Sequence, residues 1–219
     1  MAVRTNYVYN PSYEASATTA WNFSGSRTAT PAATRVSGGY VGTYAMELTY
    51  TAGAGDDGTK DLLLYPTMTD AVAAVGEQWT VSVYAKLGAG TNSGITGVLR
   101  LYQYDAASAG TGNQDSANFI SGLTSEWQRL SQVFTLTGAT TVKLRASHYY
   151  TSLANGDGID ILFDGWMLEK VATAGTYFDG STTDTGSVTY DWTGTADNSP
   201  STATDIASFT GLTVKHYVG

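Results

Sequence analysis

Thr140-Thr141-Val142-Lys143-Leu144-Arg145-Ala146-Ser147-His148-Tyr149-Tyr150 decides the fold class. Val142, Leu144 and Ala146 alternate with Lys143, Arg145, Ser147 and Tyr149, the period of two that puts apolar residues on one face of a strand and polar ones on the other. Outward from it the pattern recurs at Tyr7–Tyr9, Tyr44–Tyr50, Asp61–Tyr65, Trp79–Leu87, Gly97–Asp105, Trp127–Leu136 and Ile159–Glu169. These stretches predict about eight strands, rich in β-branched and aromatic residues. Glycine-rich separators at Ala52–Gly58, Gly88–Gly94, Ala106–Asn113 and Asn155–Gly158 read as loops at the ends of an all-β sandwich of two antiparallel sheets. Asp70–Gly76 alone looks locally helical, with Asp70 as a cap. Two units are expected: a sandwich over 1–180 and an extended polar tail over 181–219, which ends in an alternating strand within Ala207–Val218.

Composition narrows the function. Charged residues make up 14% of 219 residues and the net charge is −8, which opposes nucleic acid and anionic membranes as partners. Cysteine is absent, so disulfides, thiolate nucleophiles and thiolate metal sites are excluded. No run reaches the length of a membrane span, and Met1-Ala2-Val3-Arg4 opens no signal peptide. A chain made in the cytosol with an extracellular composition is what a virion component would be.

No catalytic set emerges, and the chain is not read as an enzyme. His148 and His216 are the only histidines, and His148 falls within an alternating strand as a structural residue. No Gly-x-Ser-x-Gly elbow or phosphate loop is present, and the neighbours Asp56 and Asp57 sit in a glycine loop that suits a turn. Alternation supplies a binding candidate instead. If the strands at 79–87, 97–105 and 140–150 share a sheet, one face gathers Tyr84, Lys86, Arg100, Tyr102, Tyr104, Lys143, Arg145 and Tyr149. Tyrosine rings stack on the C–H face of a sugar, while Arg and Lys reach hydroxyl or carboxylate groups, so the set suits an anionic cell-envelope glycan. A subunit contact or a plain solvent face would use the same residue types.

Three motifs resemble a known family: Arg4-Thr5-Asn6-Tyr7-Val8-Tyr9-Asn10-Pro11-Ser12-Tyr13-Glu14 with Trp21 beyond it, Trp127-Gln128-Arg129-Leu130-Ser131, and Ile161-Leu162-Phe163-Asp164-Gly165-Trp166-Met167-Leu168-Glu169. They are similar to the opening turn, a middle strand and the closing strand of carbohydrate-binding-module-like jelly rolls of bacterial glycosidases and phage tail proteins. Ala174–Gly180 with Tyr190–Thr195 resembles a segment of minor tail proteins of phages that infect actinobacteria.

The resemblance implies a jelly roll with Trp127 in its core. It also implies a structural calcium, the only cofactor considered, at Glu14 and Asp164, where the alternative is a role in satisfying turn backbone. In its terms the chain is a non-enzymatic virion protein, a minor tail or capsid-decoration component. Its partners are other virion subunits, copies of itself and host envelope saccharide, with Tyr177, Phe178 and Trp192 as docking residues. The alternative is a free carbohydrate-binding module of a secreted polysaccharide-degrading enzyme.

Overall fold

The computed structural model describes residues 2–67 and 73–206. Thirteen strands form among them: β1 Val3–Asn6, β2 Trp21–Ser24, β3 Ala32–Ser37, β4 Tyr44–Thr51, β5 Asp57–Pro66, β6 Gln78–Leu87, β7 Thr96–Tyr104, β8 Gly110–Asp115, β9 Gln128–Thr135, β10 Lys143–Ala154, β11 Gly158–Glu169, β12 Val188–Trp192 and β13 Ser201–Asp205. Two five-stranded antiparallel sheets, ordered β2-β5-β10-β7-β8 and β3-β4-β11-β6-β9, make the expected sandwich. No helix among the described residues is long and apolar enough to cross a membrane.

Alternation explains the core. Leu144, Ala146 and Tyr150 of β10, Leu99 and Leu101 of β7, and Leu62 and Leu64 of β5 meet Leu48, Val81, Val83, Ile161 and Phe163 of the opposite sheet, all buried. His148 points the same way and is fully buried, its ring 3.7 Å from Phe163 and 4.4 Å from Trp166. Neither of its nitrogens has a hydrogen-bond partner. Burial therefore lowers its pKa well below the ordinary value and keeps the ring neutral. Val142, expected on the apolar face, lies before the start of β10 and is exposed.

Several expectations are corrected. Tyr7–Tyr9 is irregular, and the opening strand is Val3–Asn6. The separator Ala106–Asn113 runs into strand β8, which pairs with β7 despite its glycines. Of the expected helical segment, residues 70–72 lie outside the described set and 73–76 are not helical. The described part of the expected polar tail is structured. Strands β12 and β13 join β1 in a three-stranded sheet, ordered β1-β13-β12. A second small core of Met167, Phe178 and Ala203 lies beneath it, and Arg4 donates to both carboxylate oxygens of buried Glu169 at 3.0 and 2.9 Å. The expected strand within Ala207–Val218, and His216, lie outside the described residues.

One irregularity organises the closing strand. Strict alternation would put Asp164, Trp166 and Leu168 on one face. At Gly165 (φ +58°) a bulge inserts an extra residue, so Trp166 and Leu168 turn into the core beside Phe163 while Asp164 stays on the outer face.

Candidate functional site

The sheet β2-β5-β10-β7-β8 turns one face to the core and the other outward. Register fixes that outer face: Arg145 pairs with Tyr102, Lys143 with Tyr104, Ser147 with Arg100 and Tyr149 with Val98. Six of the eight expected residues, Arg100, Tyr102, Tyr104, Lys143, Arg145 and Tyr149, therefore come together, each half-buried. Tyr84 and Lys86 do not join them. Their strand β6 lies in the other sheet, between β11 and β9, because alternation fixes which way a side chain points but not which sheet its strand enters.

A residue missed from the sequence completes the face. Tyr65 of β5 lies under the guanidinium of Arg145, 4.0 Å from its ring centroid, and Tyr102 and Tyr104 stand 4.9 and 5.2 Å from the same group. Arg145 is thus held by three tyrosine rings, and its buried Nε has no hydrogen-bond partner. Arg100 stacks over Tyr149 at 3.5 Å and donates to both oxygens of Asp115 at 2.5 and 2.6 Å. Burial works against the Arg100 charge, yet bonding to Asp115 and Tyr102 holds its pKa above the ordinary value. Burial also raises Tyr104 and Tyr149, so both present neutral hydroxyls at neutral pH. Tyr102 and Tyr104 stack with centroids 6.1 Å apart, and Lys143 Nζ donates to Ser108 Oγ at 3.0 Å. Ser147, opposite Arg100 on the same face, is fully buried and donates from Oγ to the Arg100 carbonyl at 3.2 Å. Such a surface offers flat apolar rings next to fixed donors, chemistry that suits polyhydroxylated ligands.

Glu14 and Asp164 lie at the opposite sheet, against the loop that joins β3 to β4. Glu14 Oε1 accepts from the Thr43 and Tyr44 N–H groups at 2.8 and 2.9 Å. Asp164 Oδ2 accepts from Val41 N–H and Oδ1 from Gly165 N–H, both at 2.7 Å. Burial, reinforced by the Glu14 charge and opposed by these amides, raises Asp164 to about 7. Three of the four carboxylate oxygens face the positive ends of amide dipoles, and no cluster of three or more His, Asp or Glu occurs among the described residues. Both carboxylates thus satisfy turn backbone, the role set beside a calcium site in the sequence reading.

The expected docking residues are used internally. Phe178 is 1% exposed in the chain's own second core, so it is not presented to a neighbour. Tyr177 donates to Asp179 Oδ2 at 2.8 Å, and Trp192 packs on Gly180 and donates from Nε1 to Ser181 Oγ at 3.2 Å. Trp192 thus anchors its own segment onto the chain. Asp56 accepts from Tyr50, Thr28 and Gly53, a turn role like that read from the sequence. Trp127, expected in the core, is half-buried at the start of β9, where it packs with Tyr40.

The chain is thus a two-sheet antiparallel β-sandwich with an aromatic, cation-bearing outer face. The family described as Carbohydrate binding domain matches residues 5–147, and the chain belongs to that family. No curated protein is matched. Among solved structures, the fold is similar to the enzymatically active domain of tailspike protein 4 of bacteriophage CBA120 (12% identity, TM-score 0.54, covering 74% of this chain and 21% of that one). It is equally similar to a carbohydrate-binding module described for promiscuous specificity in the β-sandwich superfamily (12% identity, TM-score 0.54, covering 75% and 62%). The chain therefore spans about a fifth of the first and under two thirds of the second, and at this identity the likeness is one of fold.

Proposed function

We propose that this module binds a cell-envelope glycan across the outer face of β2-β5-β10-β7-β8, without catalysing a reaction. The observation that carries the reading is the cage of Tyr65, Tyr102 and Tyr104 around Arg145, which holds a cation among half-buried aromatic rings on one outer face. A sugar ring lying on Tyr102 and Tyr104 would bury its C–H face and meet donors at its rim. The setting we propose is a phage virion, in a minor tail or capsid-surface component that docks on other subunits and on itself. Support comes from the resemblance of 174–180 and 190–195 to phage tail segments and from the likeness to a tailspike domain. A free module of a polysaccharide-degrading enzyme is the second reading, favoured by the family match, which spans residues 5–147 and none of β12 and β13.

An array of bacterial envelope glycans, probed with the full chain and with the Tyr102→Ala/Tyr104→Ala variant, tests the binding reading. The expected result is a set of retained glycans that the double variant binds at least about tenfold more weakly, given roughly 0.5–1.5 kcal/mol for each of the two lost stacking rings, with little change in thermal midpoint. Equal binding by the variant would refute the assignment of this face. Light scattering separates the settings: a defined oligomer supports the virion subunit, and a strict monomer the free module.

A further inference from the structure

Tyr84 and Lys86, parted from the first face, belong to a second assembly on the outer side of β3-β4-β11-β6-β9. Register places Tyr84 opposite Asp164 and Arg129, and Lys86 opposite Leu162. From the β3–β4 loop, Tyr40 lays its ring on Tyr84, with centroids 3.7 Å apart and planes 21° from parallel. Arg129 braces Tyr84, 5.6 Å from its centroid, and donates to Ser82 Oγ. Trp127 stands against Tyr40 at 6.3 Å and 63°, so the two rings form an open corner. Lys86 Nζ lies 4.8 Å from the Trp127 centroid. Tyr40 is 51% exposed, a large aromatic held in the open by a strand-side partner.

This exposure is built in. The Tyr40 loop is tied by Asp164, which accepts from Val41 N–H, and by Glu14, which accepts from Thr43 and Tyr44 N–H. Gly42 at φ +68° brings backbone against Glu14 where a Cβ would collide with the carboxylate. A ring fixed in place before binding loses little further freedom when a ligand arrives.

We propose that the Tyr40–Trp127–Lys86 corner is a second saccharide site, selective for a sugar residue that bears a carboxylate. A corner of two aromatic rings and one cation is far smaller than the roughly 800 Å² per partner that a stable protein interface covers. Lys86 forms no ion pair with an acid among the described residues. A uronate carboxylate supplies that missing anion while the pyranose C–H face covers Tyr40 or Trp127. The site stands independently of the first face, from which it is separated by the whole thickness of the sandwich.

The test is tryptophan fluorescence of the full chain titrated with trigalacturonate, with galactotriose as the uncharged comparator. Trp21, Trp79 and Trp166 are buried, so a saturable change reports on Trp127, and a Trp192→Phe background removes the other half-buried indole. Trigalacturonate should bind at least about tenfold more tightly than galactotriose. Lys86→Gln should erase that preference, and Tyr40→Ala should abolish saturation. The Tyr102→Ala/Tyr104→Ala variant should titrate like the parent even where its array binding fails. Lys86→Gln alters one partly exposed side chain and leaves the fold intact, so it tests the site even if Tyr40→Ala unsettles the loop. No saturable change with trigalacturonate, an unchanged preference in Lys86→Gln, or loss through the Tyr102 and Tyr104 substitutions would each overturn the proposal.

Discussion

Replacing Asp164 by Asn should change how stability depends on pH, in a window the structure defines. The carboxyl is buried under the β3–β4 loop, and burial together with the Glu14 charge lifts its pKa from an ordinary 3.8 to about 7, even though backbone amides of Val41 and Gly165 donate to it. A folded pKa above the unfolded one means the native state holds the proton more tightly. The group therefore favours folding most when protonated, below about pH 4, and that contribution falls as pH rises to about 7 and is level beyond. At about 1.4 kcal/mol per pH unit the window amounts to roughly 4 kcal/mol. Asparagine keeps one acceptor and turns an NH2 toward the other amide, a cost that does not vary with pH. Urea unfolding of parent and Asp164→Asn at half-unit steps from pH 4 to 8 gives the stability difference at each pH, from which all other titrating groups cancel. Relative to the variant, the parent should lose roughly 4 kcal/mol across the window. A difference that stays constant to within about 1 kcal/mol would show that the carboxyl titrates normally and that the buried, loop-wrapped description is wrong.

Two further outcomes follow from the same region and from the core beside it. Because Glu14 and Asp164 already accept N–H groups, removing calcium with a chelator should move the thermal midpoint by less than about 2 °C, whereas a fall of more than about 5 °C, on the order of 1–2 kcal/mol at this size, would mean that the loop rebuilds around a cation. His148, buried and neutral, has a folded pKa below its unfolded one, so the stability it permits is present above about pH 6.5 and lost as pH falls. His148→Leu should flatten that acid limb, and coincident denaturation curves for parent and variant at pH 5 would count against a neutral buried ring.

What the sequence revealed and what it concealed divide along a physical line. Alternation around Val142–Tyr150 and Gly97–Asp105 is a local property, and it placed Arg100, Tyr102, Tyr104, Arg145 and Tyr149 on one outer face as found. Sheet membership is not local. Nothing between residues 79 and 105 tells whether β6 lies beside β7, and the chain in fact crosses from one sheet to the other between them, taking Tyr84 and Lys86 away. Tyr65 was hidden for a different reason. It ends the run Leu62-Leu63-Leu64, in which Leu63 is buried although it shares the outer face, so the period-two signal is erased where Tyr149 and its neighbours cover the strand. Tyr40 did carry a signal in Gly38-Gly39-Tyr40, since a large ring in a glycine loop has no core to enter, and such a residue is a candidate contact by position alone.

The bulge at Gly165 links these readings. By shifting the phase of β11 it sends Trp166 inward and leaves Asp164 outside, under the loop that carries Tyr40. A Cβ at Gly165 would lie 3.0 Å from the Tyr84 ring and 3.1 Å from Val41, so the glycine also sets how closely that loop and the Tyr84 ring can approach the strand. One positive-φ residue thereby serves the core on one side of the sheet and the aromatic corner on the other. The two outer faces also treat charge differently: Arg100 is neutralised by Asp115 and Arg145 is enclosed by rings, whereas Lys86 rests on Trp127 and forms no ion pair among the described residues. On the first face stacking and hydroxyl geometry would dominate selection, and on the second the ligand's charge would, so the salt dependence of binding should be weak at one and steep at the other.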